Sequence, residues 1–124
     1  MMKNDPHLLD FSEMRTNFNG DVLSGLKKFL YEKYGKGIFG KLRLKHVVEA
    51  RYMAYHIAEK ETNVGLAYLS SFLFGQTHSM VIHAREKFSI YHDLDPVFRH
   101  KFAKFKADWQ AFKYKKINNQ NNES

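Results

Sequence analysis

The chain has 124 residues, 44% of them hydrophobic, with 11 Phe, 7 Tyr and a single Trp; that is enough apolar surface for one folded domain, and the length leaves no room for a nucleotide-driven motor beside it. Twenty Lys and Arg against 13 Asp and Glu give a formal charge of +7, which attracts phosphate polymers or anionic lipid without choosing between them. Cysteine is absent, which excludes disulfide frameworks and thiolate zinc fingers and suits a reducing cytoplasm.

Residues 1–10 include Asp5 and Pro6 and lack the apolar run of a signal peptide, and no stretch is long and apolar enough to span a bilayer. A cytoplasmic protein without membrane contact is expected. Residues 1–19 read as a flexible arm, 20–117 as the folded domain and 118–124 as a disordered polar tail. A first helix is expected from Asp21 as N-cap, with Val22, Leu26, Phe29 and Leu30 on one face and Gly35 as its stop. Gly35, Gly37 and Gly40 then interrupt regular structure, and Lys41, Arg43 and Lys45 alternate with apolar residues in a basic connector. Ala50, Met53, Ala54 and Ile57 recur at helical spacing in a second helix over 47–61, closed by Thr62 and Asn63. An apolar stretch over 65–74, a turn at Gly75 and a helix opening near Thr77 and running to about Tyr91 together read as a helix-turn-helix. Leu94, Asp95 and Pro96 open the last helix, where Phe98, Phe102, Phe105, Trp109 and Phe112 form an apolar stripe aimed at Val22, Leu26 and Phe29. No repeat and no strand-like alternation is present. The expected fold is all-α, a compact domain of about five or six helices containing a helix-turn-helix.

The helix after Gly75 carries the candidate site. Turning 100° per residue, it puts Met80, Val81, Ala84, Phe88 and Tyr91 on the core side and Ser79, Ile82, His83 and Glu86 opposite, with Arg85 and Lys87 on the flanks. The second helix of a helix-turn-helix enters the major groove by its N-terminal end, so Thr77, His78 and Ser79 stand where base edges or phosphates would be met. Arg85, Lys87 and the connector would hold the backbone. The plainer alternatives are that His78 caps its helix, that His83 is a solvated surface residue, and that the connector is an ordinary polar loop. Between Val97 and Lys116 there are seven Lys or Arg and one Asp, so the last helix holds nearly the whole net surplus while the reading helix is almost neutral.

The stretch Gly75-Gln76-Thr77-His78-Ser79-Met80-Val81-Ile82-His83-Ala84-Arg85-Glu86-Lys87-Phe88 resembles the signature of the C-terminal DNA-binding domain of the bacterial replication initiator DnaA. Upstream, Val48-Glu49-Ala50-Arg51-Tyr52-Met53-Ala54 is similar to that family's basic-loop-to-helix segment, and Thr62-Asn63-Val64-Gly65-Leu66-Ala67-Tyr68-Leu69 to the link into its first motif helix. The resemblance implies a Trp-repressor-like helical fold without the ATPase, binding double-stranded DNA. It implies that His78 and Ser79 read bases together with Thr77 and His83, that Leu66 and Ala67 touch thymine methyl groups, and that Arg51 and Gln76 join Lys41, Arg43, Lys45, Arg85 and Lys87 on the backbone. Thr77 stands where the family has an acidic base contact, Gln76 where it has arginine, and Met80 where it has a second threonine, which implies altered or relaxed sequence specificity. A replication or regulatory accessory factor, cellular or phage-borne and in contact with replication proteins, is what such a domain without its ATPase implies. The alternative is a protein-interaction module on the same fold that has lost specific DNA binding.

Other chemistries lack the residues they need. Gly35-Lys36-Gly37-Ile38-Phe39-Gly40-Lys41-Leu42 is one residue short of a phosphate-binding P-loop and has Leu42 where a magnesium-binding hydroxyl is required. His78 and His83 are five apart and point away from each other on a helix, so no metal site with His92 is expected. No nucleophile, base and orienting group fall at local spacing, and neither catalysis nor a cofactor is expected.

Overall fold

The computed structural model describes residues 7–75 and 77–123, with side chains described for 20–75 and 77–115. Among these residues the chain is all-helical: α1 (His7–Tyr34), a 3-10 turn (Lys36–Phe39), α2 (Lys45–Glu61), α3 (Leu66–Phe74), α4 (His78–Leu94) and α5 (Pro96–Glu123). No helix among them is long and apolar enough to cross a membrane.

α2 is the centre of the core. Val47, Ala50, Met53, Ala54, Ile57 and Ala58 are buried on it, and the small alanines let neighbouring helices approach on several sides at once. Leu23, Leu26 and Leu30 of α1, Leu69 and Leu73 of α3, and Val81, Ala84 and Phe88 of α4 fill the space around it. α5 closes both ends of this assembly with one aromatic stripe. Phe105, Trp109 and Phe112 meet Phe29 of α1, with ring centroids 5.4, 5.5 and 5.6 Å away, as the sequence spacing leads one to expect. The earlier half of the stripe turns elsewhere: Phe98 and Phe102 pack edge-on against Phe88 of α4 at 5.5 and 4.8 Å. Trp109 is almost wholly buried, and its indole N–H donates to the Glu61 carboxylate at 3.2 Å, which removes the cost of burying that donor.

Punctuation of the chain follows local chemistry. Gly35 has φ +78° and Gly75 φ +61°, the left-handed conformation that glycine adopts without steric penalty, and these two residues terminate α1 and α3. α2 ends at Thr62, whose hydroxyl and backbone N–H both donate to Ala58 O, at 2.7 and 3.0 Å. Asp95 bridges the last two helices: its N–H closes α4 on Tyr91 O, and its carboxylate accepts the Val97 N–H at the start of α5, with Pro96 at the position where a missing N–H is harmless.

The ends of the chain differ from the sequence expectation. α1 begins at His7, so most of the supposed arm over 1–19 is helical and Asp21 lies inside the helix instead of capping it; residues 1–6 are outside the described residues. Between Pro6 and Gly20 the sequence holds neither proline nor glycine, so nothing interrupts the helical hydrogen-bond series. The same holds after Pro96, and the backbone of α5 continues through the supposed tail to Glu123. Leu44 O accepts the N–H groups of Val47 and Val48, both at 3.0 Å, and α2 therefore starts two residues early and takes Lys45 out of the connector.

Candidate nucleic-acid interface

Thr77 precedes α4 in an extended conformation, and its hydroxyl does not cap the helix; it lies 3.1 Å from Ser79 Oγ. No acidic residue stands in the first turn, so the free N–H groups and the positive end of the helix dipole are not offset by a carboxylate of that turn. Thr77, His78, Ser79 and Met80 are all exposed, and burial begins at Val81. Met80, expected in the core, is 39% exposed, because the first turn of α4 stands clear of the layers that cover Val81 and Ala84. At the start of α3, Leu66 packs partly against the core while Ala67 is exposed. Gln76 lies outside the described residues.

One flank of α4 faces the connector. Arg43 and Lys45 line a groove of about 370 Å³ with Val48, Glu49, Tyr52, Tyr91 and Asp95. The Tyr52 ring bridges this groove to α4, its centroid 6.1 Å from His83 and 6.1 Å from Tyr91, and Lys87 Nζ lies 6.0 Å from the Tyr91 ring. His83, Lys87, Arg43 and Lys45 thus gather on one side, with Tyr52 and Tyr91 between them. Burial and the neighbouring Tyr91 raise the Tyr52 phenol above its ordinary pKa, so it remains a neutral hydroxyl able to donate to an anion. Neither tyrosine was expected at the site: helical spacing puts Tyr91 on the core side of its helix, Tyr52 has no role assigned from the sequence, and the packing of α2 on α4 brings both to the groove.

Two expected backbone contacts are committed elsewhere. Arg51 is 8% exposed; its Nε donates to Ile38 O at 2.8 Å, and one terminal nitrogen donates to Gly37 O at 3.3 Å and Gly40 O at 3.1 Å. The guanidinium fastens the 3-10 turn to α2, and burial together with Arg43 lowers its pKa. Little of it is open to a phosphate, and the three hydrogen bonds give it a structural task that the expected backbone contact did not foresee. Arg85 leaves the opposite flank of α4 from Lys87 and pairs with Glu59 at 2.6 Å, which raises its pKa through that hydrogen bond and charge. The side chain stays half exposed, and its guanidinium is turned to Glu59 on the flank away from the connector.

Part of the basic character of α5 is also drawn inward, while Lys106 and Lys115 stay exposed without an ion pair among the described residues. Lys101 pairs with the buried Glu49 at 3.1 Å, Lys113 with Glu61 at 2.9 Å, and Lys104 stands 3.7 Å from Asp108. Lys33 of α1 holds Asp108 at 2.7 Å and keeps its carboxyl below the usual range. Arg99 donates to the carbonyls of His92 and Asp93 at the end of α4. By contrast Lys36, Lys41, Arg43 and Lys45 are exposed and form no ion pair among the described residues.

The glycine-rich stretch over 35–42 turns carbonyl oxygens toward Arg51, whereas a phosphate cradle requires converging N–H groups. Among the described residues no three metal-ligating side chains come together. No protein-family model, curated protein or solved structure matches the chain.

Proposed function

We propose that this chain binds double-stranded DNA, with the N-terminal turn of α4 at the base edges and the connector side of the domain on the phosphates. The observation that carries this reading is the presence on one domain of an exposed, uncapped helix start at Thr77, His78 and Ser79 and of exposed cations without an ion pair among the described residues at Lys41, Arg43 and Lys45, of which Arg43 and Lys45 line the groove beside Tyr91 of α4. α3, Gly75 and α4 serve as the helix-turn-helix, and the motif over 75–88 supports a relationship to the DnaA C-terminal domain. In this reading the Thr77 and Ser79 hydroxyls, which can donate or accept, and the His78 ring meet base edges. Leu66 and Ala67 lie against thymine methyls, and His83 stands one turn further along the groove. Lys87, Arg43 and Lys45 hold phosphates, with Tyr52 and Tyr91 as hydroxyl donors beside them. Thr77 cannot accept from cytosine as a carboxylate does, which favours relaxed specificity and a role as a replication or regulatory accessory factor without enzymatic activity, acting at DNA within the cytoplasm.

Fluorescence anisotropy with a random duplex and an initiator-box duplex tests this. Four available cations, Lys41, Arg43, Lys45 and Lys87, give an expected slope of log affinity against log salt of about −3.6. The Lys41→Ala/Arg43→Ala pair should reduce that slope by about 2, while His78→Ala/Ser79→Ala should remove selectivity and leave the slope. Absence of duplex binding at low salt, or binding indifferent to salt, would overturn the proposal.

A further inference from the structure

Between Leu66 and Phe74, α3 carries no charged residue. Its outward side holds Tyr68, 51% exposed, whose ring stacks on that of Phe72 one turn further on, with centroids 5.7 Å apart and planes at 13°. Phe72 is itself only partly buried. Over it stands the Lys27 ammonium of α1, 4.9 Å from the centre of the Phe72 ring and 5.9 Å from that of Phe39. A lysine laid on aromatic faces is by itself an ordinary surface contact, but this one has no carboxylate partner: Lys27 forms no ion pair among the described residues. Lys36 shares an edge of the 3-10 turn with Phe39, because side chains three apart eclipse there, and it is exposed and equally unpaired. Tyr31, one turn beyond Lys27 on α1, is 56% exposed.

Acidic groups lie elsewhere. Glu32 lines a cavity with Phe29, Asp108 and Phe112 on the α5 side of α1, Asp21 is rotated about 120° from Lys27 around the helix, and no Asp or Glu occurs from Lys33 to Val48. The surface formed by α3, α1 and the 3-10 turn is therefore a ledge of exposed ring with cations on its rim. We propose that this ledge binds single-stranded nucleic acid, an unpaired base stacking on Tyr68 while Lys27 and Lys36 hold phosphates of the same strand. An unpaired base brings a π face and phosphates together, and every base has such a face, so binding is sequence-tolerant. A paired base within a duplex has no free face to lay on a ring, and an apolar protein surface would leave both ammoniums without a counter-charge. The inference goes beyond duplex binding and uses none of the residues assigned to it.

Fluorescence anisotropy of the full chain at low salt, with an oligothymidylate of about 15 nucleotides and an abasic strand of the same length, tests this. The abasic strand carries the same phosphates and no bases. Expected are binding of oligothymidylate, binding of the abasic strand weaker by about fivefold or more, and a similar loss in Tyr68→Ala that Tyr68→Phe does not show. Lys27→Gln should reduce the slope of log affinity against log salt by about 0.7. Tyr68 is half exposed, so an unchanged melting curve certifies that the variant is folded. Duplex affinity separates the two proposals: Tyr68→Ala should leave it unchanged, and Lys41→Ala/Arg43→Ala, which weakens it, should keep the preference for oligothymidylate over the abasic strand. No binding of oligothymidylate, equal binding of the abasic strand, or a Tyr68→Ala chain that binds the single strand like the parent would overturn the proposal.

Discussion

Replacing Arg51 separates a structural guanidinium from a phosphate-binding one. Arg51→Ala removes three hydrogen bonds from a charged donor, one to the buried Ile38 carbonyl and two to the part-buried carbonyls of Gly37 and Gly40. Hydrogen bonds to charged groups contribute roughly 1.5 to 3 kcal/mol each when buried. The glycine carbonyls can turn to water once the side chain is gone, whereas the Ile38 oxygen, beside a fully buried side chain, has less access to a new donor. One bond at full value and partial loss of two gives a destabilisation of about 3 kcal/mol, equivalent to a melting temperature lower by about 10 °C for a domain of this size. Arg51→Lys should recover only part, because an ammonium cannot reproduce the planar fork that serves three acceptors. Urea titration and thermal unfolding measure the effect, and DNA affinity measured well below the transition is the control. If Arg51→Ala melts within about 1 °C of the parent and instead lowers the salt slope of duplex binding by about 1, the guanidinium is a phosphate contact and the structural reasoning fails.

The remaining expectations follow from the same geometry. Arg85→Ala should lower stability by less than about 1 kcal/mol, since the pair with Glu59 is half exposed, and should leave duplex affinity unchanged; a tenfold loss of affinity would return Arg85 to the interface. Gly75→Ala should cost about 1 kcal/mol in thermal melts, because φ is +61° and the new methyl meets nothing within 4 Å, while Gly20→Ala in α1, with the same open surroundings but no positive φ, should raise stability by up to about 1 kcal/mol. Trp109→Ala should cost about 3 to 5 kcal/mol by urea titration, more than Phe112→Ala, whose ring is only partly buried. The His56 ring stacks on Phe88 at 3.9 Å, and burial, with Lys60, His92 and Lys106 adding to it and Glu59 opposing, lowers its pKa from 6.5 to about 4. Below pH 6.5 the unfolded chain takes up the proton and the fold does not, so stability falls between about pH 6.5 and 4. Discounted for the partial solvent exposure of the side chain, the loss is about 1 to 2 kcal/mol, and His56→Phe should remove that part of the pH dependence.

Elements specified by near neighbours were legible in the sequence. The Ala50, Met53, Ala54, Ile57 series and the Phe98 to Trp109 stripe face the core as their spacing demands, and Gly35 and Gly75 stop helices because only glycine takes their backbone angles freely. The beginning of α1 was missed because Asp21 has the chemistry of a cap, yet a cap is realised only where the chain actually leaves the helix, and nothing between Pro6 and Gly20 makes it do so. Side-chain commitments over long range were not legible. The acceptors of Arg51 lie 11 to 14 residues upstream, and Glu59 lies 26 residues before Arg85. In a linear reading both arginines are simply basic residues near a candidate helix. Tyr91 was hidden for the converse reason, since an aromatic at helical spacing reads as core until the second helix beside it is known.

Those distant pairings also change what the net charge means. Counted along the chain, the surplus sits on α5; counted in space, Glu49, Glu61 and Asp108 meet Lys101, Lys113 and Lys33 along the seams where α5 crosses α1 and α2, and Arg99 serves the carbonyl end of α4. These cations carry part of the work of joining helices, and their fields are partly cancelled within a few ångströms. The connector has no such partners: from Lys33 to Val48 the sequence contains no Asp or Glu, and the groove that Arg43 and Lys45 line offers only Asp95, already bonded to the Val97 N–H, and Glu49, already paired with Lys101. Arg43 and Lys45 therefore act on an approaching anion with less local cancellation than the paired cations of α5, beside the Tyr91 and Asp95 end of α4. A seam cation away from the groove tests this separation: Lys113→Ala, which unpairs Glu61 and leaves Arg43 and Lys45 in place, should loosen the α2–α5 seam in thermal melts and change duplex affinity by less than Arg43→Ala does.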